Sequence, residues 1–168
     1  QAVLNPQLIT DAADTFGSQC IVVSIDARRH LDGHLEVFTQ GGKSSTGMTP
    51  SNWAKQAEDR GAGEIFLNSI DRDGTALGYD IDLISSVTDS VSIPVIACGG
   101  VGRYEDFSEC ISKAGASAAA AANIFHFREL SYPIAKKTCL DAGIDMRKVL
   151  LNSQWFPREP SYDKEAEM

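Results

Sequence analysis

The sequence predicts an α/β fold of (βα)₈ TIM-barrel type, present as about four βα units, a half-barrel. Three observations predict it. Short apolar runs without strict polar alternation read as parallel strands buried on both sides. Strand, loop and helix recur about every 25 to 40 residues, the spacing of βα units. The strand ends open repeatedly into glycine-rich or polar loops, which favours a barrel over an open sheet.

The elements follow in order. Asn5-Pro6 reads as an N-cap with proline at the first helical position, opening a helix through about Phe16. Cys20-Ile21-Val22-Val23-Ser24-Ile25 is a strand ending at Asp26, and Leu35-Glu36-Val37-Phe38 is a short hairpin strand within the polar, glycine-rich stretch 27–47. Thr49-Pro50-Ser51 caps a helix through about Arg60, stopped by Gly61 and Gly63. Glu64 to Asn68 is the next strand, followed by the loop Ser69 to Thr75 and a helix from about Asp80 to Thr88. Ile93 to Ala97 is a third strand leading into Cys98-Gly99-Gly100-Val101-Gly102, with a helix from Glu105 to Lys113. Ala118 to Ala122 forms a short strand of small residues, Asn123 to His126 a short extra helix, and Leu130 to Ala142 the last helix. Residues 1–149 thus form one domain, the C-terminal half of a barrel. Residues 150–168, polar and proline-bearing, read as a partly disordered extension.

Composition narrows the function. With 15 basic and 23 acidic residues the chain carries a net charge of −8, which opposes nucleic acid and other polyanions. No apolar run approaches the roughly 20 residues of a membrane span. The start, QAVLNPQLIT, lacks the basic and apolar regions of a signal peptide, so the expected location is the cytoplasm. Cys20, Cys98, Cys110 and Cys139 show no CxxC spacing, and His30, His34 and His126 form no HxH or HExxH pattern. Neither a disulfide framework nor a metal site is expected, and no cofactor is implied. Cys20, Cys110 and Cys139 read as small core residues.

In a barrel the active site lies where strands end and βα loops begin, which gathers Asp26, Asn68, Asp71, Asp73, Cys98, Gly99, Gly100, Ala122 and Asn123 at one rim. Asp26 is the candidate general acid or base. The glycine cluster offers backbone amides with no Cβ to block a phosphate, and the short helix at Asn123 would aim its N-terminus at the same place. Asp73-Gly74-Thr75 could supply a second anchor, though Asp-Gly is also a favoured turn. Arg28, Arg29 and Lys43 could reach an anionic substrate or stand as solvated charges; His126 is expected to pack at the short helix.

These residues carry a resemblance. Asn5-Pro6 through Asp26-Ala27-Arg28-Arg29, Gly61-Ala62-Gly63-Glu64-Ile65, Ser69-Ile70-Asp71-Arg72-Asp73-Gly74-Thr75, Gly78-Tyr79-Asp80, Ile96-Ala97-Cys98-Gly99-Gly100 and Ala121-Ala122-Asn123-Ile124-Phe125-His126-Phe127 resemble the cyclase subunit of imidazole glycerol phosphate synthase. The resemblance implies a lyase of histidine biosynthesis, an amino-acid pathway that also feeds purine synthesis. Members take ammonia from a glutaminase partner and add it to a phosphorylated ribotide, PRFAR, releasing imidazole glycerol phosphate and an aminoimidazole carboxamide ribotide. It carries the second catalytic aspartate of the family onto Asp26. It carries a phosphate site onto Asp73, Gly74, Gly100 and the Ala122-Asn123 turn, pocket-lining positions onto Asn68 and Cys98, and a charged ammonia gate onto Glu64.

The resemblance covers strands five to eight of that family. The first catalytic aspartate and the second phosphate site belong to units not found in this sequence, so the isolated half is expected to be inactive or nearly so. A half-barrel also has open edges, which predicts a homodimer or larger assembly. Two rivals stand beside this reading. One is a paralogous barrel that delivers ammonia to a surface-polysaccharide sugar, suggested by the unusual His30-Leu31-Asp32-Gly33-His34 loop. The other is a non-catalytic phosphate-binding half-barrel.

Overall fold

The computed structural model describes residues 1–122, 124–125 and 131–147. The expected extension 150–168, Asn123 and His126 lie outside them. Helix α1 spans Gln7–Phe16, and strands β1 (Val22–Arg29), β2 (Leu35–Thr39) and β3 (Ser44–Ser45) follow. Then come α2 (Pro50–Asp59), β4 (Glu64–Ser69), α3 (Ile81–Thr88), β5 (Val95–Cys98), α4 (Tyr104–Ala114), β6 (Ala118–Ala119) and α5 (Ser131–Asp141).

The helices start where capping chemistry places them. Thr49 accepts a hydrogen bond from the Asn52 amide ahead of Pro50, and Asp80 accepts one from the Leu83 amide at the head of α3. Gly115, in the left-handed region, ends α4. Helix α1 has no side-chain cap; Pro6, not Asn5, stands at its entry.

The strands form one sheet in the order β3-β2-β1-β4-β5-β6. β1, β4, β5 and β6 run parallel, joined through helices, while β2 and β3 return antiparallel as a hairpin. Helices α2, α3 and α4 cover one face, where Ile25, Ile65, Leu67, Val95, Trp53, Leu83 and Val87 are all fully buried. Each such side chain contributes about 1.5–3 kcal/mol of burial, which holds the strand ends in register.

The structure corrects three expectations. The strands are not buried on both faces: β1 and β4 alternate between buried and less-covered positions, because the helices cover only one side. Strand β1 does not end at Asp26 but continues to Arg29, since residues 26–29 pair with 35–38 of the hairpin. Cys20 lies exposed in a 3₁₀ turn, Ser18–Cys20, rather than in the core, whereas Cys110 and Cys139 are buried.

Candidate active site

The less-covered face of the sheet carries the chemistry. Pairing of β1 with β4 sets Asp26 opposite Asn68, and pairing of β4 with β5 sets Asn68 opposite Cys98. The three residues therefore form one row across three parallel strands, in their C-terminal halves. Asn68 Nδ2 donates to Asp26 Oδ1 at 3.2 Å, which fixes the amide with its oxygen turned away from the carboxylate. That oxygen, Asn68 Oδ1, is buried and has no partner among the described residues. A buried acceptor without a donor costs about 1–3 kcal/mol, so it is the natural seat for a donor from water or substrate.

Beyond Cys98 the row opens onto a small pocket lined by Asp73, Gly74, Cys98, Gly99, Gly100, Val101, Ala121 and Ala122. Six residues picked out from the sequence (Asp73, Gly74, Cys98, Gly99, Gly100 and Ala122) thus meet around one space. Its cavity volume is only about 10 Å³, about the space of one water molecule, so a group held by these loops would sit at the mouth rather than within it. Among the described residues, the backbone amides of Gly74, Gly100 and Ala122 have no acceptor. The Asp73 amide is not available, because it donates to the Ser69 carbonyl at 2.9 Å; Asp73 shapes the turn and adds negative charge at its rim.

Glycine is required here for two reasons at once. Gly99 and Gly100 have φ of +95° and +105°, and a Cβ on Gly100 would stand 2.3 Å from the Gly78 carbonyl oxygen. The Gly78 amide in turn donates to the Gly100 carbonyl at 2.8 Å, tying the β4–α3 loop to the β5–α4 loop. Burial, then the charge of Asp73, raises the Cys98 thiol pKa, so Cys98 is a neutral wall and not a nucleophile.

Three positioning residues escaped the sequence reading. The Asp106 carboxylate accepts from the amides of Gly102 and Arg103 at 2.8 and 2.9 Å, clamping the end of the glycine loop to α4. Tyr79, buried, donates its hydroxyl to the Ala120 carbonyl at 2.8 Å and holds the Ala121-Ala122 wall in place. Asp80, buried, pairs with Arg29 at 2.8 Å while capping α3. An acidic residue at a helix N-terminus is visible in sequence, but its partner from another loop is not.

Arg28 and Arg29 do not stand over the pocket as free cations. Arg28 pairs with Asp71 at 3.2 Å and lies over the Phe38 ring, and Arg29 is engaged by Asp80. Asp71 also accepts from the Arg29 amide at 2.7 Å, which ties it to the end of β1. Lys43 is exposed beyond β2. Glu64 begins β4, five residues before its end and so roughly 16 Å from the loop side, at the opposite mouth of the sheet.

With this geometry in view, a family model described as "Histidine biosynthesis protein" matches residues 1–131. The chain belongs to that family. Three relatives are each named imidazole glycerol phosphate synthase subunit HisF. That of Caulobacter vibrioides (strain NA1000 / CB15N) is 50% identical over 147 residues, covering 87% of this chain and 56% of the relative. That of Pyrobaculum aerophilum is 52% identical over 146 residues, covering 87% and 57%. That of Alkaliphilus metalliredigens is 44% identical over 147 residues, covering 88% and 58%. The chain therefore spans a little over half the length of these relatives, and its four parallel strands with their helices are βα units of the family's TIM barrel. No helix among the described residues is long and apolar enough to cross a membrane.

Proposed function

We propose that this chain carries the C-terminal four βα units of an imidazole glycerol phosphate synthase cyclase, a cytoplasmic lyase that converts PRFAR with ammonia. The observation that carries this reading is the row Asp26, Asn68, Cys98 running into the amide-lined pocket. Two strand spacings, roughly 10 Å, separate Asp26 from Cys98 at the edge of that pocket.

In this reading the Gly74, Gly100 and Ala122 amides hold one substrate phosphate, with Gly99 completing the turn after β5. The pocket then anchors the substrate while Asp26 exchanges a proton with the closing imidazole ring. Asn68, bonded to Asp26, keeps that carboxylate pointed along the row. The remaining βα units would supply the second aspartate and the seat of the second phosphate. Ammonia released by a glutaminase subunit would enter at the Glu64 end and travel to the Asp26 end. Without the other units the sheet is open, and two copies pairing edge to edge would close it.

The test is ammonia-dependent turnover of PRFAR by the complete gene product. Asp26→Asn is expected to lower kcat by about 10²–10⁴ with KM nearly unchanged, because Asp26 moves a proton and does not anchor the phosphate. Undiminished turnover in that variant would remove Asp26 from the mechanism. Phosphate affinity without any turnover, even with a separate N-terminal half added, would instead make the chain a non-catalytic phosphate-binding module. Ammonia transfer to a sugar with no turnover of PRFAR would favour the paralogous barrel.

A further inference from the structure

The hairpin that follows Asp26 holds a group of side chains that the proposed reaction does not use. His30 follows β1, His34 precedes β2, and Glu36 lies in β2; one potential ligand atom from each falls within 4.8 Å of the others. Glu36 Oε2 is 2.7 Å from His30 Nε2 and 4.0 Å from His34 Nε2. The two imidazoles stack at 3.9 Å with planes 8° apart.

The carboxylate is preset. Its other oxygen, Oε1, accepts from the Ser45 hydroxyl and from the amides of Thr46 and Gly47 at 3.1 and 2.6 Å. Glu36 is only 6% exposed, so a buried oxygen is turned by three donors toward two histidines. His34 is preset as well: its Nδ1 bonds to Asp32 Oδ1 at 2.6 Å, leaving Nε2 to face Glu36. A carboxylate on the far nitrogen of a ligating histidine is the usual outer support of a metal site.

We propose that His30, His34 and Glu36 bind a divalent transition-metal ion of the zinc class, with Asp32 as the positioning residue. Two imidazole nitrogens and one carboxylate oxygen suit zinc, cobalt or nickel rather than magnesium or calcium. Ligand atoms 2.0–2.2 Å from a tetrahedral ion stand about 3.4 Å apart, and the present 2.7 and 4.0 Å bracket that value. The two rings must turn out of their parallel stack to bring the three atoms onto one centre, and the fourth position is left to water. The ion staples β1 to β2, because its ligands come from both sides of the hairpin.

Zinc titration by calorimetry, on the full chain stripped with chelator and free of a histidine tag, tests the site. One Zn²⁺ per chain is expected, with cobalt substitution giving visible absorption of a tetrahedral centre. His34→Ala, at a half-exposed side chain, is expected to fold normally and lose both signals. Asp32→Asn is expected to weaken binding about 10–100-fold while keeping the stoichiometry. Absence of saturable zinc binding, or stoichiometric binding that survives both His34→Ala and His30→Ala, would overturn the proposal.

Discussion

At the scale of single residues, the glycine pocket makes a sharp demand. Gly100 combines φ of +105° with a carbonyl oxygen 2.3 Å from where a Cβ would stand, and Arg72 Cβ would lie at 2.9 Å. Gly100→Ala must therefore move the β4–α3 loop, at about 1–3 kcal/mol for the backbone and a similar amount for the clash. Gly41, at φ of +65° with open space around it, is the control, since Gly41→Ala carries backbone strain alone. The expected outcome is a lower urea midpoint for both variants, with loss of inorganic phosphate binding only in Gly100→Ala. Equal phosphate affinity in the two would detach the loop from anion binding. The doublet Gly99-Gly100 was legible because few other needs place two glycines after a strand. Asp106 and Tyr79 were not, because their contacts run to other loops and local spacing does not encode them. Asp71 keeps its place in the loop after β4, but its partner Arg28, 43 residues away, was hidden for the same reason.

At the scale of elements, the β1–β2 hairpin has its own pH dependence. Ser45, then Gly47, donates to the Glu36 carboxylate and lowers its pKa from 4.5 to about 2. A carboxylate depressed in the folded state contributes stability that is fully present above pH 4.5 and lost as pH falls through about 2. Glu36→Gln is expected to flatten the acid side of the stability curve between those limits and to change little above them. Denaturant midpoints measured across that range check it; an unchanged acid slope would remove Glu36 from the acid transition. The helices and parallel strands were legible because capping residues and apolar runs are local signals. What the pattern hid was which strand face the helices leave uncovered. An apolar run such as Cys20 to Ile25 does not show that Val23 and Ile25 are buried while Val22 and Ser24 are not. Likewise the residues at 30, 34 and 36 fit no helical metal pattern and converge only because the chain reverses at Gly33.

At the scale of the whole molecule, the sheet poses a problem of closure. Among the described residues, Val22 to Ile25 of β1 pair only with β4, and β6 pairs only with β5. Backbone groups at both edges thus lack sheet partners, and Val22 on one edge is 51% exposed. Beside β6, Phe125 and Tyr132 are exposed next to an apolar groove that also involves Phe107 and Ala119. Unpaired parallel edges with apolar flanks favour association, because each pairing removes both kinds of surface from water together. Two copies related by a twofold axis can set β6 of one against β1 of the other at both seams, which closes a ring of eight parallel strands. Sedimentation at micromolar concentration is therefore expected to show a dimer. Lys in place of Val22, which adds a charge at one seam without touching the buried face, is expected to shift the equilibrium toward monomer. Adding the N-terminal βα units of the Caulobacter vibrioides relative should compete with self-pairing, since those units meet the same two edges. A stable monomer with both edges open, unchanged by the added units, would mean that the sheet does not close this way.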